Sequence, residues 1–368
     1  MPFRDLISRA ILITLIFCNS TLSENSQDID RLFLDEMIAI KNFEIIPKYQ
    51  SVLNSTKKLN ESTVNLCSNH DESFLVDARN AWIKAFTDWQ NIQYLRVGSV
   101  QENFRYESIQ FWPDKNTVAS KQYIKLIASN DLKRTELDHI KVSSVALRGF
   151  TTIERLLFGK KSTIDSFSIS ENSKFKCNFL INVSKDLEII LSEIILDWQD
   201  IDEKELVKIF NNGLSNEISN EEIYHKFYFE TLINNLEFII TYKLLQPYGN
   251  GEKHKIKKAE SWRSELSISN INNNFKSLKR LLNLGQQRSF LDNLSLLDAN
   301  QLPLRINSAL DDIIDFSQEL DPSINNVLSQ RDDFKKLLDL VFKFNSMIEN
   351  ELGGVLELKK GFNAYDGD

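Results

Sequence analysis

The sequence predicts an all-α protein of two four-helix bundles packed against each other, an expectation carried by three observations. Eight helix-sized segments repeat apolar residues at the 3.6-residue period of an amphipathic helix. Only 11 Gly and 6 Pro occur in 368 residues, under half of the roughly 12% that average usage supplies and that the turns of a sheet-rich fold need. The length suits two domains at a prior of about 150 residues each. A content of 42% hydrophobic and 26% charged residues is that of a folded body, neither a multi-span membrane protein nor a disordered chain.

Residues 1–23 read as an export signal. Arg4 and Arg9 flank a basic start, Ala10 opens an apolar run to Phe17 that is too short to span a bilayer, and small or polar residues come next. Cleavage after Ser23 or Ser20 suits the small-residue rule. The competing readings are an uncleaved anchor and a lipid-modified Cys18, the latter opposed by bulky Phe17 immediately before it.

The N-terminal bundle is assigned to residues 24–200. Ile29, Leu32, Phe33, Met37 and Ile40 form its first apolar stripe, on a helix that Pro47 is placed to kink or end. Asp71 and Glu72 open a second helix, with Trp82, Phe86 and Trp89 on one face and Gly98 as its stop. Residues 104–130 lack sustained periodicity and read as a long crossover, a kind of segment that often carries function. A third helix is expected over 141–158, ended by Gly159, and a fourth over 175–198, with Leu180, Val183, Leu187, Ile190 and Ile194 in register. The polar stretches 200–205 and 211–220 mark a boundary, and the C-terminal bundle takes 201–368, with helices expected over 221–245, 261–284, 302–320 and 324–351.

Charge and rare residue types narrow the function. With 44 Lys and Arg against 52 Asp and Glu, the net charge of −8 repels a phosphate backbone, so nucleic acid is not an expected partner. Four His and three Cys exclude zinc-finger clusters, and any metal site must lean on carboxylates, hydroxyls or carbonyls. Once the leader is removed, Cys67 and Cys177 remain as an even pair in an oxidising compartment, expected to be joined across about 110 residues; the alternative is two buried free thiols. The sequons at Asn54, Asn60 and Asn182 are weak signals in an Asn- and Ser-rich chain.

Glu154 is the carboxylate that stands out. On a helix it has Phe150 four residues before it and Phe158 four after, an aromatic seat in which burial raises a carboxylate's pKa unless a cation or metal compensates. It is either a functional group or half of a structural ion pair with an Arg from another helix. Ser261-Trp262-Arg263-Ser264 offers stacking surface, a forked donor and hydroxyls, suited to an anionic ligand or to orienting Glu154; alternatively it starts a helix, with a serine cap and Trp262 in the core.

At these residues the chain resembles the imelysin family of exported bacterial proteins. Gly149-Phe150-Thr151-Thr152-Ile153-Glu154-Arg155-Leu156-Leu157-Phe158-Gly159 is similar to the family's signature segment. Ala81-Trp82, Trp89, Trp112-Pro113, Ser261-Trp262-Arg263-Ser264-Glu265-Leu266-Ser267 and the closing Gly361-Phe362-Asn363-Ala364-Tyr365-Asp366-Gly367-Asp368 stand in the expected order. The resemblance implies two four-helix bundles with a site between them, an association with iron uptake, and a cysteine pair at Cys67 and Cys177. Some members are described as peptidases. One departure stands out: the family pattern is Gly-x-His-x-x-Glu, and Thr151 occupies the histidine position, where a neutral hydroxyl is a poor ligand for a transition ion. His139 reads as a surface or core residue rather than a substitute, and Asp366 and Asp368 as either hard-cation ligands or a frayed tail.

The expected site thus comprises Thr151, Glu154, Ser261, Trp262, Arg263, Ser264 and Trp112, with Glu154 as the metal ligand. The expected function is that of a non-enzymatic periplasmic binding protein taking iron, another divalent metal or a small metal-bearing ligand, working with an inner- or outer-membrane uptake complex. The alternatives are a metal-dependent peptidase with Glu154 as general base, and an adaptor that has lost the metal site. Peptidase motifs are missing: the chain has no His-Glu-x-x-His helix, no nucleophile elbow and no convincing Cys–His pair.

Overall fold

The computed structural model describes residues 27–360 apart from 70, 115, 171, 213–217 and 298–300. The export signal, Cys18 and the closing segment with Asp366 and Asp368 lie outside the described residues. All regular structure among the described residues is helical, as the Gly and Pro scarcity and the periodicity predict.

Helix α1 is helical from residue 27, passes through a π turn at Ile40–Ile45 and continues as Ile46–Ser68. Pro47 neither ends nor breaks it, because it falls in the first turn after the π segment, where its missing N–H costs little. Asp71 caps α2 (Glu72–Gln90) by accepting from the Ser73 N–H. Helices α3 (Gly149–Phe158) and α4 (Ser173–Asp200) complete a first group, in which α1 packs on α2 and α4, and α3 on α2 and α4. Cys67 and Cys177 are joined by a disulfide between α1 and α4, with a Cα–Cα distance of 5.5 Å.

The second group comprises α5 (Asn220–Phe238, prolonged by a π turn at Ile239–Leu245), α6 (Ser267–Leu282), α7 (Leu302–Glu319) and α8 (Arg331–Ser346, with a π turn at Met347–Leu352). α7 lies against both α6 and α8, and α5 against α8. One continuous apolar core runs through both groups. α1 bridges them: its Phe33 ring meets Tyr224 and His225 of α5 at 5.2 and 5.4 Å, while the Glu36 carboxylate accepts backbone N–H bonds from Gln286, Gln287 and Arg288 at 2.7, 2.8 and 3.1 Å. Among the described residues no helix is long and apolar enough to cross a membrane.

The structure departs from the sequence expectation in two places that shape the site. The helix expected over 141–158 is broken, with a 3-10 turn at Val145–Leu147, extended backbone at Arg148 and a left-handed Gly149 (φ +63°) opening α3. A Cβ at Gly149 would lie 2.1 Å from the Ile109 carbonyl oxygen, so a tight chain crossing and the positive φ both require glycine there. The helix expected from 261 starts at Ser267, because Ser261 and Glu265 adopt positive φ and residues 261–265 form a turn. The crossover at 104–130 also contains short helices at Arg105–Ile109 and Val118–Ser129.

Candidate functional site

α3 is held at both its start and its body. Arg148 forms a two-pronged pair with buried Asp186 of α4 at 2.8 and 3.0 Å, and the Trp82 indole N–H donates to the Phe150 carbonyl at 3.1 Å. Trp82 stacks on Phe86 at 4.8 Å, as expected of residues sharing one face of α2. This support fixes the face of α3 that carries Thr151, Glu154 and Arg155.

Across from it lie the 3-10 turn Ile256–Lys258 and the 261–265 turn, and the two sides, with Trp112 and Asp114, enclose a cavity of about 190 Å³. Thr151, Glu154, Trp112, Ser261, Trp262 and Arg263 all line it. Ser264 stands behind, its hydroxyl on Glu154. Residues more than a hundred positions apart are thereby brought to one cleft.

Glu154 is 3% exposed. Its Oε1 accepts the Arg263 N–H, the Ser264 N–H and the Ser264 hydroxyl, each at 3.1 Å, and its Oε2 lies 3.7 Å from the Arg263 guanidinium. Burial pushes this carboxyl up from its ordinary value, opposed by Arg263 and by the Ser264 and Arg263 donors. The carboxylate is therefore a clamp that ties the 261–265 turn to α3, and its cationic partner is Arg263, on that turn and not on another helix.

The other charged groups at the cavity are the cations Arg155, Lys257, Lys258 and Arg263 and the carboxylates Asp114 and Glu260. Arg263 stacks on Trp262 at 4.3 Å; Arg155 donates to the Ser120 hydroxyl at 3.0 Å and lies 3.6 Å from Asp114; the Lys258 ammonium donates to the Asp114 carbonyl at 2.9 Å. Lys257 is exposed at the rim. This set does not fit a bare transition ion. Oε1 of Glu154 already accepts three hydrogen bonds, its Oε2 faces a guanidinium, and Thr151 adds only a neutral hydroxyl. His139 is exposed beside a separate depression with Phe179. Among the described residues no three His, Cys, Asp or Glu side chains gather as a metal site.

Beneath the cavity is a buried polar network that sequence reasoning missed. The Lys243 ammonium, 2% exposed, has four oxygens around it: Gln90 at 2.8 Å, Gln93 at 2.9 Å, Glu260 at 2.8 Å and Asn274 at 2.7 Å. Glu260 Oε1 accepts amide N–H bonds from Gln90, Gln93 and Gln110 at 3.3, 3.1 and 2.8 Å, and Asn270 donates to its Oε2 at 3.2 Å. Burial alone would raise the Glu260 carboxyl, but Lys243 and the amide donors outweigh it and hold it below the ordinary range. Glu260 and Gln110 reach the cavity wall, so the network forms its floor. The signal available in sequence was a lone Lys inside the apolar run Phe238-Ile239-Ile240-Thr241-Tyr242-Lys243-Leu244-Leu245.

The peptidase family model described as Imelysin matches residues 45–345. No curated protein matches the chain. Among solved structures, the chain is similar to an imelysin-like protein from Psychrobacter arcticum 273-4, with a TM-score of 0.72 and 16% identity, covering 90% of this chain and 98% of that one. It is also similar to a protein described as a putative iron-regulated protein A precursor from Parabacteroides distasonis ATCC 8503, with a TM-score of 0.69 and 16% identity, covering 89% of this chain and 95% of the other.

Proposed function

This chain belongs to the imelysin family, and from that premise we propose that it is an exported, non-enzymatic binding protein linked to iron uptake, which takes a small anionic, metal-bearing ligand in the cleft between α3 and the 261–265 turn. The observation that carries this reading is the charge of the cavity: Arg155, Arg263, Lys257 and Lys258 gather at a space walled by Trp112 and Trp262, while of its three carboxylates Glu154 is committed to the clamp, Glu260 to Lys243 and Asp114 to Arg155. Guanidinium groups meet carboxylate oxygens two at a time, so a metal already wrapped in carboxylates suits this lining better than a bare ion. The reading of export rests on the leader pattern, together with the word precursor in the description of one structural neighbour; the iron link rests on that neighbour's description as iron-regulated. Delivery to a membrane uptake complex belongs to the same reading.

Titration calorimetry of the mature chain with ferric citrate, iron-free citrate and ferrous ion tests it. Ferric citrate is expected to bind, with affinity falling about tenfold in Arg263→Gln, the size of one lost charge-assisted contact. Binding of ferrous ion alone, or of none of the three, would overturn the anionic-chelate reading. Chelator-sensitive cleavage of casein by the wild-type chain would instead establish the peptidase alternative.

A further inference from the structure

A second cavity, of about 430 Å³, opens on the side of Phe238 away from the site just described; Phe238 itself meets Trp112 of the first cavity edge-on at 5.6 Å. Its volume falls in the range of about 300–1,000 Å³ usual for small-molecule pockets, and it is larger than the cleft at Glu154. We propose that it is a saccharide-binding site, independent of the Glu154 cleft, in which Phe104 is the stacking platform.

The walls supply the first part of the argument. Phe104 is 71% exposed at the cavity, an unusual amount of bare aromatic surface in a chain whose other large rings are mostly buried. It and Asn103 both adopt left-handed backbone (φ +56° and +52°), which turns the chain outward between the 3-10 segment Gly98–Phe104 and the helix Arg105–Ile109. A ring displayed there gains nothing from the core, and a flat partly apolar partner is what it can stack on. Deeper in, Phe210 and Phe227 pack on each other at 4.3 Å and continue the apolar wall.

The polar groups select among ligands. The Arg96 guanidinium lies over Tyr106 at 4.2 Å and over Phe238 at 4.3 Å, so these two rings already hold a cation, and its positive charge opposes another. Glu107 and Glu230 also line the cavity and oppose an anion, while Glu230 is already partnered, accepting from the Asn212 amide at 2.7 Å and lying 4.0 Å from the Lys226 ammonium. A neutral ligand remains, and Gln101 and Asn234 add amide donors and acceptors next to the charged side chains. Apolar ring faces flanked by donors and acceptors of both kinds match a neutral ring bearing many hydroxyls, whose C–H face stacks while its O–H groups pair with the rim.

The test uses the mature chain and ligand-observed NMR with N-acetylglucosamine, chitobiose, maltose and galactose, alongside choline as a cationic probe and benzoate as an aromatic anion. At least one saccharide is expected to bind with a Kd of about 1 mM or tighter, and to weaken about tenfold in both Phe104→Ala and Asn234→Ala. Glu154→Ala is expected to leave that affinity unchanged, which separates this site from the chelate cleft. Saccharide binding insensitive to Phe104→Ala and Asn234→Ala, binding of choline or benzoate in place of saccharides, or silence with every probe each overturns the assignment. Phe104 is exposed, so its substitution leaves the fold intact, and an unchanged circular dichroism spectrum verifies that.

Discussion

Two buried titratable residues show how single side chains are committed in this fold. Glu154 accepts two backbone N–H groups and a hydroxyl from the 261–265 turn. Glu154→Ala leaves the two backbone donors without a buried acceptor, at about 1–3 kcal/mol. Urea unfolding should show that loss, and faster proteolysis within the 261–265 turn should accompany it; unchanged stability would refute the clamp. His225 sits among Phe33, Tyr224 and Phe290, and burial pulls its imidazole down from the ordinary 6.5 to about 4. As pH falls, the unfolded chain therefore takes up this proton first, so the contribution is intact above the unfolded value and drains away toward the folded one. At roughly 1.4 kcal/mol per unit, wild type should lose up to about 3 kcal/mol relative to His225→Phe between about pH 7 and pH 4. Parallel pH profiles of the two proteins would show that His225 is not buried neutral.

Elements carry the next level of information, and the π turns matter most there. Each inserts an extra residue into a helical turn and shifts the phase of the helix beyond it. In α1 the π turn holds Glu44, 1% exposed, which accepts from the Tyr94 hydroxyl at 2.8 Å and pairs with Arg280 of α6 at 2.6 Å. In α5 the π turn holds Lys243 at the centre of the amide network. On a strict 3.6 period Glu44 falls in line with Phe33, Met37 and Ile40, and Lys243 with Leu232, Leu236 and Ile239, so in the sequence only their charge sets them apart from the apolar stripe. Lys243→Met removes the partner of an enclosed carboxylate and should cost about 3–5 kcal/mol, much of it regained in the double variant Lys243→Met with Glu260→Gln. Denaturant midpoints of the four proteins in that cycle measure the coupling, and additive losses would mean that the two groups do not act as a pair.

The whole molecule is held by one core and by cross-links that close long loops. The disulfide between Cys67 and Cys177 spans a sequence separation of 110, so the paired variant Cys67→Ser with Cys177→Ser is expected to lose about 2–5 kcal/mol at neutral pH. Free thiols in non-reduced peptide maps of the wild-type chain would overturn the pairing. α1 reaches across both helix groups through Phe33, Glu36 and Glu44, so loosening its N-terminal half should disturb α5 and α6 as well as its own group. Hydrogen exchange in Glu36→Ala is the measurement, with increased exchange expected at residues 286–288, whose N–H groups lose their acceptor.

Residue order and chemistry alone were enough for the helical class, most of the long helices and the cysteine pair, because amphipathic period, turn-residue scarcity and short motifs are local properties, whereas the set of residues at the cleft was expected from the family resemblance. Local patterns could not show that Glu154 would be committed to backbone N–H groups 109 and 110 positions away, or that the turn receiving it would delay the start of α6 to Ser267. Nor could they place Lys243 among Gln90, Gln93, Glu260 and Asn274, since a buried charge is stable only where distant donors and acceptors converge on it. Tertiary packing decided those partners, and with them the cationic lining of the cleft and the separate aromatic cavity at Phe104, because both depend on which side chains are left facing open space once the core is full.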